Sequence, residues 1–326
     1  MKSLIALRLF IVFGLSLALF ACAKTPNPEP QKQLEAPLAS LSIGYQKAAL
    51  KLIVAKKNHF FEQEFANAKV AWKEFPAGPQ TLEALSVGAI DFGYTGDAPI
   101  IFALAAGKGL QYLASESSSK QAHALLVPPE STIKNIAALK GKRIAVTKGS
   151  SAHNFLAETL KKANLTWDDI QPIWLSPADA RAALDKKAVD AWAIWEPYIS
   201  ATELNGSANN IFDSTELPDT YAFYSAQPKF IQQHPESAAK VIQVLNKTDQ
   251  WIDAHPQETA QILAESTGID LAVAEKVISK KPKPSTVQIL TPEVLTSQQH
   301  IADLFYQLKL IPTQVTVSTA AWDGKN

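Results

Sequence analysis

The order of short β-rich runs and longer helical runs predicts an α/β protein of two lobes, each a largely parallel sheet clothed in helices, with a ligand cleft between them. Three observations carry this expectation. Past residue 39, strand and helix patterns alternate along the chain. The alternation passes through two series of like organisation: Gly88-Ala89-Ile90-Asp91-Phe92 stands in the first where Lys187-Ala188-Val189-Asp190-Ala191-Trp192 stands in the second. Two extended stretches, 122–127 and 220–226, lead from one series into the other, so one lobe should be discontinuous.

Taken in order, Leu41-Ser42-Ile43-Gly44-Tyr45 is the first strand, and 49–57 is helical, with Leu52, Ile53 and Lys56 at helix spacing. Residues 69–75 alternate apolar and polar as a second strand. The turn Pro76-Ala77-Gly78-Pro79 opens a helix over 80–87. A third strand covers 90–94, and Thr95-Gly96-Asp97-Ala98-Pro99 opens the next helix with Asp97 as its N-cap. The second series has a strand over 143–147, the turn Lys148-Gly149-Ser150-Ser151 and a helix over about 153–163. It continues with a strand at 170–175, a helix at 178–185 and a strand at 190–195. After Gln227 the pattern is mostly helical, with Pro235, Pro256 and Pro292 near helix starts. The expected division is 40–124 plus 225–326 for lobe 1 and 125–224 for lobe 2, the ligand sitting outside the carboxyl ends of the strands.

Residues 1–22 read as a targeting segment. Lys2 and Arg8 precede an apolar run over 9–21 that only Gly14 and Ser16 interrupt. The run is shorter than the roughly 20 residues that span a bilayer, so it reads as a secretory signal. Cys22 is the sole cysteine, and Leu19-Phe20-Ala21-Cys22 has the form of a lipoprotein cleavage site with an unusually bulky Phe20. The alternative is an ordinary signal with an incidental thiol. Residues 23–39 hold Pro26, Pro28, Pro30 and Pro37, which favour an extended tether. Thirty-one Lys and Arg, less Lys2 and Arg8, face thirty-one Asp and Glu in the remaining chain, a balance that argues against a nucleic-acid surface. With one cysteine no internal disulfide exists, and stability must come from packed cores.

The chemistry lies in the turns. Five strand ends finish in small or neutral hydrogen-bonding residues at helix starts: at Tyr45-Gln46-Lys47, Phe75 to Pro79, Tyr94 to Asp97, Gly149 to His153, and Trp195 to Tyr198. A helix N-terminus leaves unpaired N–H donors and a partial positive charge, so an oxyanion binds there without a buried lysine or arginine. Gly78, Gly96 and Gly149 would let backbone approach the ligand. Donors alone suit a sulfonate, a monoanion with three acceptor oxygens and no proton. A protonated phosphate needs an acceptor, which Glu196 or Asp97 would have to supply. Trp192 and Trp195 should face opposite ways on their strand, one inward and one toward the cleft. His153, in a first helical turn, either donates to an anion or is an exposed helix residue. The chain has no GxSxG, HExxH or GxxxxGK motif, its six histidines do not cluster, and no thiol lies past Cys22, so no catalytic residue and no cofactor is expected.

The stretches Ile43 to Lys47, Glu74 to Gln80, Gly93 to Pro99, Leu139 to Arg143, Lys148 to Asn154, Pro177 to Arg181 and Val189 to Tyr198 closely resemble the periplasmic aliphatic-sulfonate-binding proteins of ABC importers. The resemblance implies a type II periplasmic-binding-protein fold, an alkanesulfonate ligand, a monomer, and delivery to a permease and ATPase in sulfur uptake. Carried over by position, Gln46, Gly78, Pro79, Thr95, Gly96, Asp97, Ser150, Ser151, Ala152, His153, Trp195 and Glu196 would bind ligand. Glu196 stands where many relatives have aspartate, which would alter the reach toward the tail. A lipid on Cys22 would tether the protein to a membrane, in the periplasm or at the cell surface. Taurine, nitrate, a sulfate ester or a thiamine-precursor pyrimidine remain alternative ligands, and an enzyme or sensor on the same fold an alternative class.

Overall fold

The computed structural model describes residues 37–325. The expected leader, Cys22 and the tether up to residue 36 lie outside the described residues. The first series builds β1 (Ser40–Tyr45), α1 (Leu50–Lys57), α2 (Phe60–Glu64), β2 (Lys69–Glu74), α3 (Gly78–Ser86), β3 (Phe92–Thr95), α4 (Asp97–Ala105) and β4 (Gln111–Ser117). The chain then forms β5 (His123–Val127), β6 (Arg143–Val146), α5 (Ser151–Lys162), β7 (Gln171–Trp174), α6 (Pro177–Asp185), β8 (Ala191–Trp195), α7 (Tyr198–Leu204) and β9 (Asn209–Asp213). It returns through β10 (Tyr221–Ala226) and ends in α8 (Pro228–Gln233), α9 (Pro235–Ala254), α10 (Pro256–Thr267), α11 (Leu271–Ser279) and α12 (Pro292–Gln307).

Among the described residues, ten strands make two five-stranded sheets of matching plan, ordered β2-β1-β3-β10-β4 and β7-β6-β8-β5-β9. In each, the first three strands are parallel. The fourth position is antiparallel to both neighbours, and its occupant has arrived from the other sheet: β10 in the first, β5 in the second. The expected boundaries at 124/125 and 224/225 therefore cut through strands that each lie wholly in one sheet. The change of sheet falls instead at 118–122 and 214–220. Both segments are mainly polar and solvent-facing, whereas β5 and β10 are nearly all buried and need apolar neighbours on both faces.

β4 and β9 are two strands that the alternation alone does not announce. Helices cover both faces of the first sheet: one apolar cluster joins Ile43, Leu52 and Leu245 on the α1 and α9 side, and another joins Leu82, Ile101 and Phe305 on the α3, α4 and α12 side. The second sheet is built around β8, whose five residues are all buried, with Trp192 fully enclosed. The parallel strands of both sheets end at the same crevice, and the helices that follow them begin there.

Candidate functional site

A cavity of about 170 Å³ lies between the two sheets, at the carboxyl ends of their parallel strands. Its head is made by three helix starts. The α3 start follows β2, with Ala77 as an extended N-cap and Pro79 in the first turn. The α4 start follows β3, capped by Gly96. The α5 start comes from the other lobe, capped by Ser150. A helix start leaves its leading N–H groups without a main-chain acceptor in the helix and carries about half a positive charge, although in α4 the Ala98 N–H is taken by Asp97 Oδ1. Three such ends around one small volume make an anion site.

The starts sit close together because glycine allows it. A Cβ at Gly96 would come 2.6 Å from Ser151 Cβ and 2.8 Å from its Oγ, and one at Gly78 would come 2.5 Å from Pro99 Cγ. Gly149 has φ of 73°, in the left-handed region, and so turns the chain sharply into α5.

Of the twelve expected residues, Gln46, Gly78, Gly96, Ser150, Ser151, Trp195 and Glu196 line the cavity. Gln46 is held by donating to the Tyr94 carbonyl at 2.9 Å. The Ser150 hydroxyl donates to the Thr147 carbonyl at 2.8 Å, so what it offers inward is oxygen lone pairs. Trp195 lies at the cavity while Trp192 faces the core, the opposite orientations that strand alternation demands.

The other five are placed behind this surface. Thr95 is buried and its hydroxyl donates to the Gly96 carbonyl at 3.1 Å. Pro79 approaches Gly149 of the other lobe, and Ala152 is fully buried. Asp97 is the first helical residue of α4, not its cap. Its Oδ1 accepts from the Ala98 N–H at 2.6 Å, and its Oδ2 accepts from Asn154 Nδ2 at 2.8 Å across the lobes. Burial pushes its carboxyl up to about 7. His153 is neither exposed nor aimed at the anion. It is buried among Phe102, Phe305, Trp167 and Trp174. Its Nδ1 accepts the Gly149 N–H at 3.1 Å, and burial, helped by Lys148, lowers its pKa to about 3, so the ring is neutral and shapes the turn from behind.

Several cavity residues escape the sequence reading. Lys51, Glu116, His123, Lys280 and Lys281 all line it. His123 is buried, which lowers its pKa to about 4 and leaves it neutral. Lys51 forms an ion pair with Glu116 and a second with Asp249 at 3.2 Å. Its only sequence sign is a cation at the head of the buried run Lys51-Leu52-Ile53-Val54-Ala55. Glu196 is held by Lys280 Nζ at 2.6 Å and by both the N–H and the hydroxyl of Ser200. Thus the lobes touch on both sides of the cavity: Asp97 with Asn154 and Phe102 with His153 on one, Lys280 with Glu196 and Lys276 with Glu203 on the other.

Comparison with known proteins places this geometry. Residues 46–259 match the family model described as NMT1/THI5 like. A putative aliphatic sulfonates-binding protein of Escherichia coli K12 is 39% identical over 316 residues, 97% of this chain and 96% of that one. The structure of the alkanesulfonate-binding protein SsuA of Xanthomonas axonopodis pv. citri bound to MOPS superposes with a TM-score of 0.86 at 43% identity, over 88% of this chain and 99% of that one. The periplasmic aliphatic sulphonate binding protein SsuA of Escherichia coli gives 0.80 at 40% identity, over 87% and 97%.

Proposed function

This chain belongs to the NMT1/THI5-like family and is a solute-binding protein, and from that premise we propose that it captures aliphatic sulfonates for an ABC importer. The observation that carries the ligand class is the convergence of the α3, α4 and α5 starts on one small cavity. Their N–H groups and the Ser151 hydroxyl are donors placed for three oxyanion acceptors that carry no proton. Phosphate is disfavoured for a matching reason. Glu196 is taken by Lys280 and Ser200, and Asp97 is turned away toward Asn154, so neither carboxylate is left to accept a phosphate hydroxyl and only the weaker Ser150 hydroxyl oxygen faces inward as an acceptor.

Binding couples to closure. The α3 and α4 starts belong to one lobe and α5 to the other, so a head group touching all three favours the state in which the lobes meet. The closed form is the one that the permease and ATPase would read. We further assign residues 1–22 to a lipoprotein signal, Cys22 to lipid attachment and 23–39 to a tether, which would hold a monomer at a membrane in the periplasm or at the cell surface. Among the described residues no helix is long and apolar enough to cross a membrane. The two-lobe division, with crossings at 118–122 and 214–220, supplies the hinge.

Isothermal titration with methanesulfonate through octanesulfonate, beside sulfate, nitrate and phosphate, tests the ligand. Micromolar or tighter binding of alkanesulfonates is expected. Absence of binding by every alkanesulfonate at millimolar concentration refutes the assignment. Membrane fractionation of Cys22→Ser against wild type tests the anchor.

A further inference from the structure

Resting on the sulfonate reading, the charges around the cavity bear on which tails are accepted. Two carboxylates line it, Glu116 and Glu196, and a lysine holds each. Lys51 is 4% exposed, pairs with Glu116, and also donates to the Ser285 carbonyl at 2.7 Å and the Ser285 hydroxyl at 2.8 Å. This pair is part of the buried fabric of one lobe. The Lys280 and Glu196 pair differs, because it forms across the cleft: Lys280 ends α11 on the first lobe, and Glu196 follows β8 on the second. Their side chains are each 13% exposed, with Nζ 2.6 Å from Oε1. Lys47 and Lys281 also line the cavity, Lys281 being held by Asp249 at 2.8 Å and Asp253 at 3.0 Å.

A sulfonate whose tail ends in an ammonium needs a carboxylate to replace its hydration shell, since a desolvated and unpaired charge is strongly disfavoured. In this cavity both candidates are occupied, and the groups that occupy them carry the same charge as the tail. We propose that Lys280 is the specificity determinant of the cleft: by holding Glu196 across the lobes it denies an ammonium tail its anchor, so that the site takes sulfonates with uncharged tails. Lys280 acts through Glu196, and releasing Glu196 should create a site for the tail now turned away.

The test uses taurine and 1-propanesulfonate, which differ by an ammonium in place of a methyl group, titrated calorimetrically into the purified mature protein. Wild type should prefer propanesulfonate. Lys280→Gln should move the affinity ratio toward taurine by about tenfold or more, as expected for an uncapped buried carboxylate. Lys280→Arg should keep the wild-type ratio, and adding Glu196→Gln to Lys280→Gln should abolish the shift. Thermal melts of each variant establish that it is folded. A Lys280→Gln protein that weakens both ligands in parallel overturns the assignment and leaves Lys280 a closure contact alone. Equal affinity of wild type for the two ligands overturns it as well. Wild type that binds neither overturns the sulfonate reading itself, and this inference with it.

Discussion

Replacing Gly96 with alanine should impair ligand capture while leaving the fold intact. The backbone at Gly96 has φ of −74°, which any residue adopts, so alanine adds no backbone strain. The added methyl carbon would stand 2.6 Å from Ser151 Cβ, where carbon atoms in contact rest at about 3.5 to 4 Å. Relief requires the α4 and α5 starts to part by about 1 Å. A head group bridging them then keeps its hydrogen bonds to one lobe and stretches those to the other from about 2.9 Å to near 3.9 Å, beyond bonding reach. Two hydrogen bonds to a charged group, at about 1.5 kcal/mol each, amount to about 3 kcal/mol, or roughly a 150-fold rise in Kd. Titration calorimetry with hexanesulfonate reads the affinity, and urea denaturation reads the stability, which should change by less than about 1 kcal/mol because the clash is between lobes rather than within a core. An affinity within threefold of wild type would show that Gly96 and Ser151 do not pack this closely around bound ligand.

Three further outcomes follow from the same structure. Lys51→Met leaves Glu116 without its buried cation, while Asp249 keeps Lys281 at 2.8 Å, and should cost about 3 kcal/mol in urea denaturation, with no effect expected if the pair is solvent-screened. His153 resists protonation down to about pH 3 in the fold, while the unfolded chain takes up that proton near 6.5. Stability should therefore fall as pH drops from 6.5 toward 3, by at most about 1.4 kcal/mol per unit, and His153→Phe should flatten that stretch of the curve. Asp97 works in the opposite sense, because its carboxyl keeps a proton to about 7 in the fold and loses it near 3.9 unfolded. Relative to Asp97→Asn, wild type should lose stability as pH rises from 4 to 7 and hold level above it; a rising difference would contradict the burial of that carboxyl.

Much of the architecture is legible locally. The β1 to α4 and β6 to β8 series can be read because apolar spacing and turn residues report on neighbours a few positions away. Gly78, Gly96, Ser150 and Ser151 stand out for the same reason: each lies where a strand pattern stops and a helix pattern starts. Residues 122–127 and 220–226 show how far this goes. Their apolar character marks them as strands, but the sheet that each strand joins depends on partners far along the chain, as when Tyr224 lies beside Tyr94 and Ala124 beside Ile194. Asp97 reads as a cap from its position in the turn, yet its carboxylate is drawn to Asn154, 57 residues away.

From the order of its residues alone this protein is committed to two α/β series, helix starts rich in neutral donors, and no catalytic motif, because each is a property of short segments. Tertiary structure decides which charges meet. Lys51 finds Glu116 and Asp249, Lys280 finds Glu196, and His153 loses its charge among aromatic rings. Those outcomes depend on burial and on distances between segments far apart in the chain. Coulomb energy and desolvation follow separation in space, and separation in sequence does not determine it.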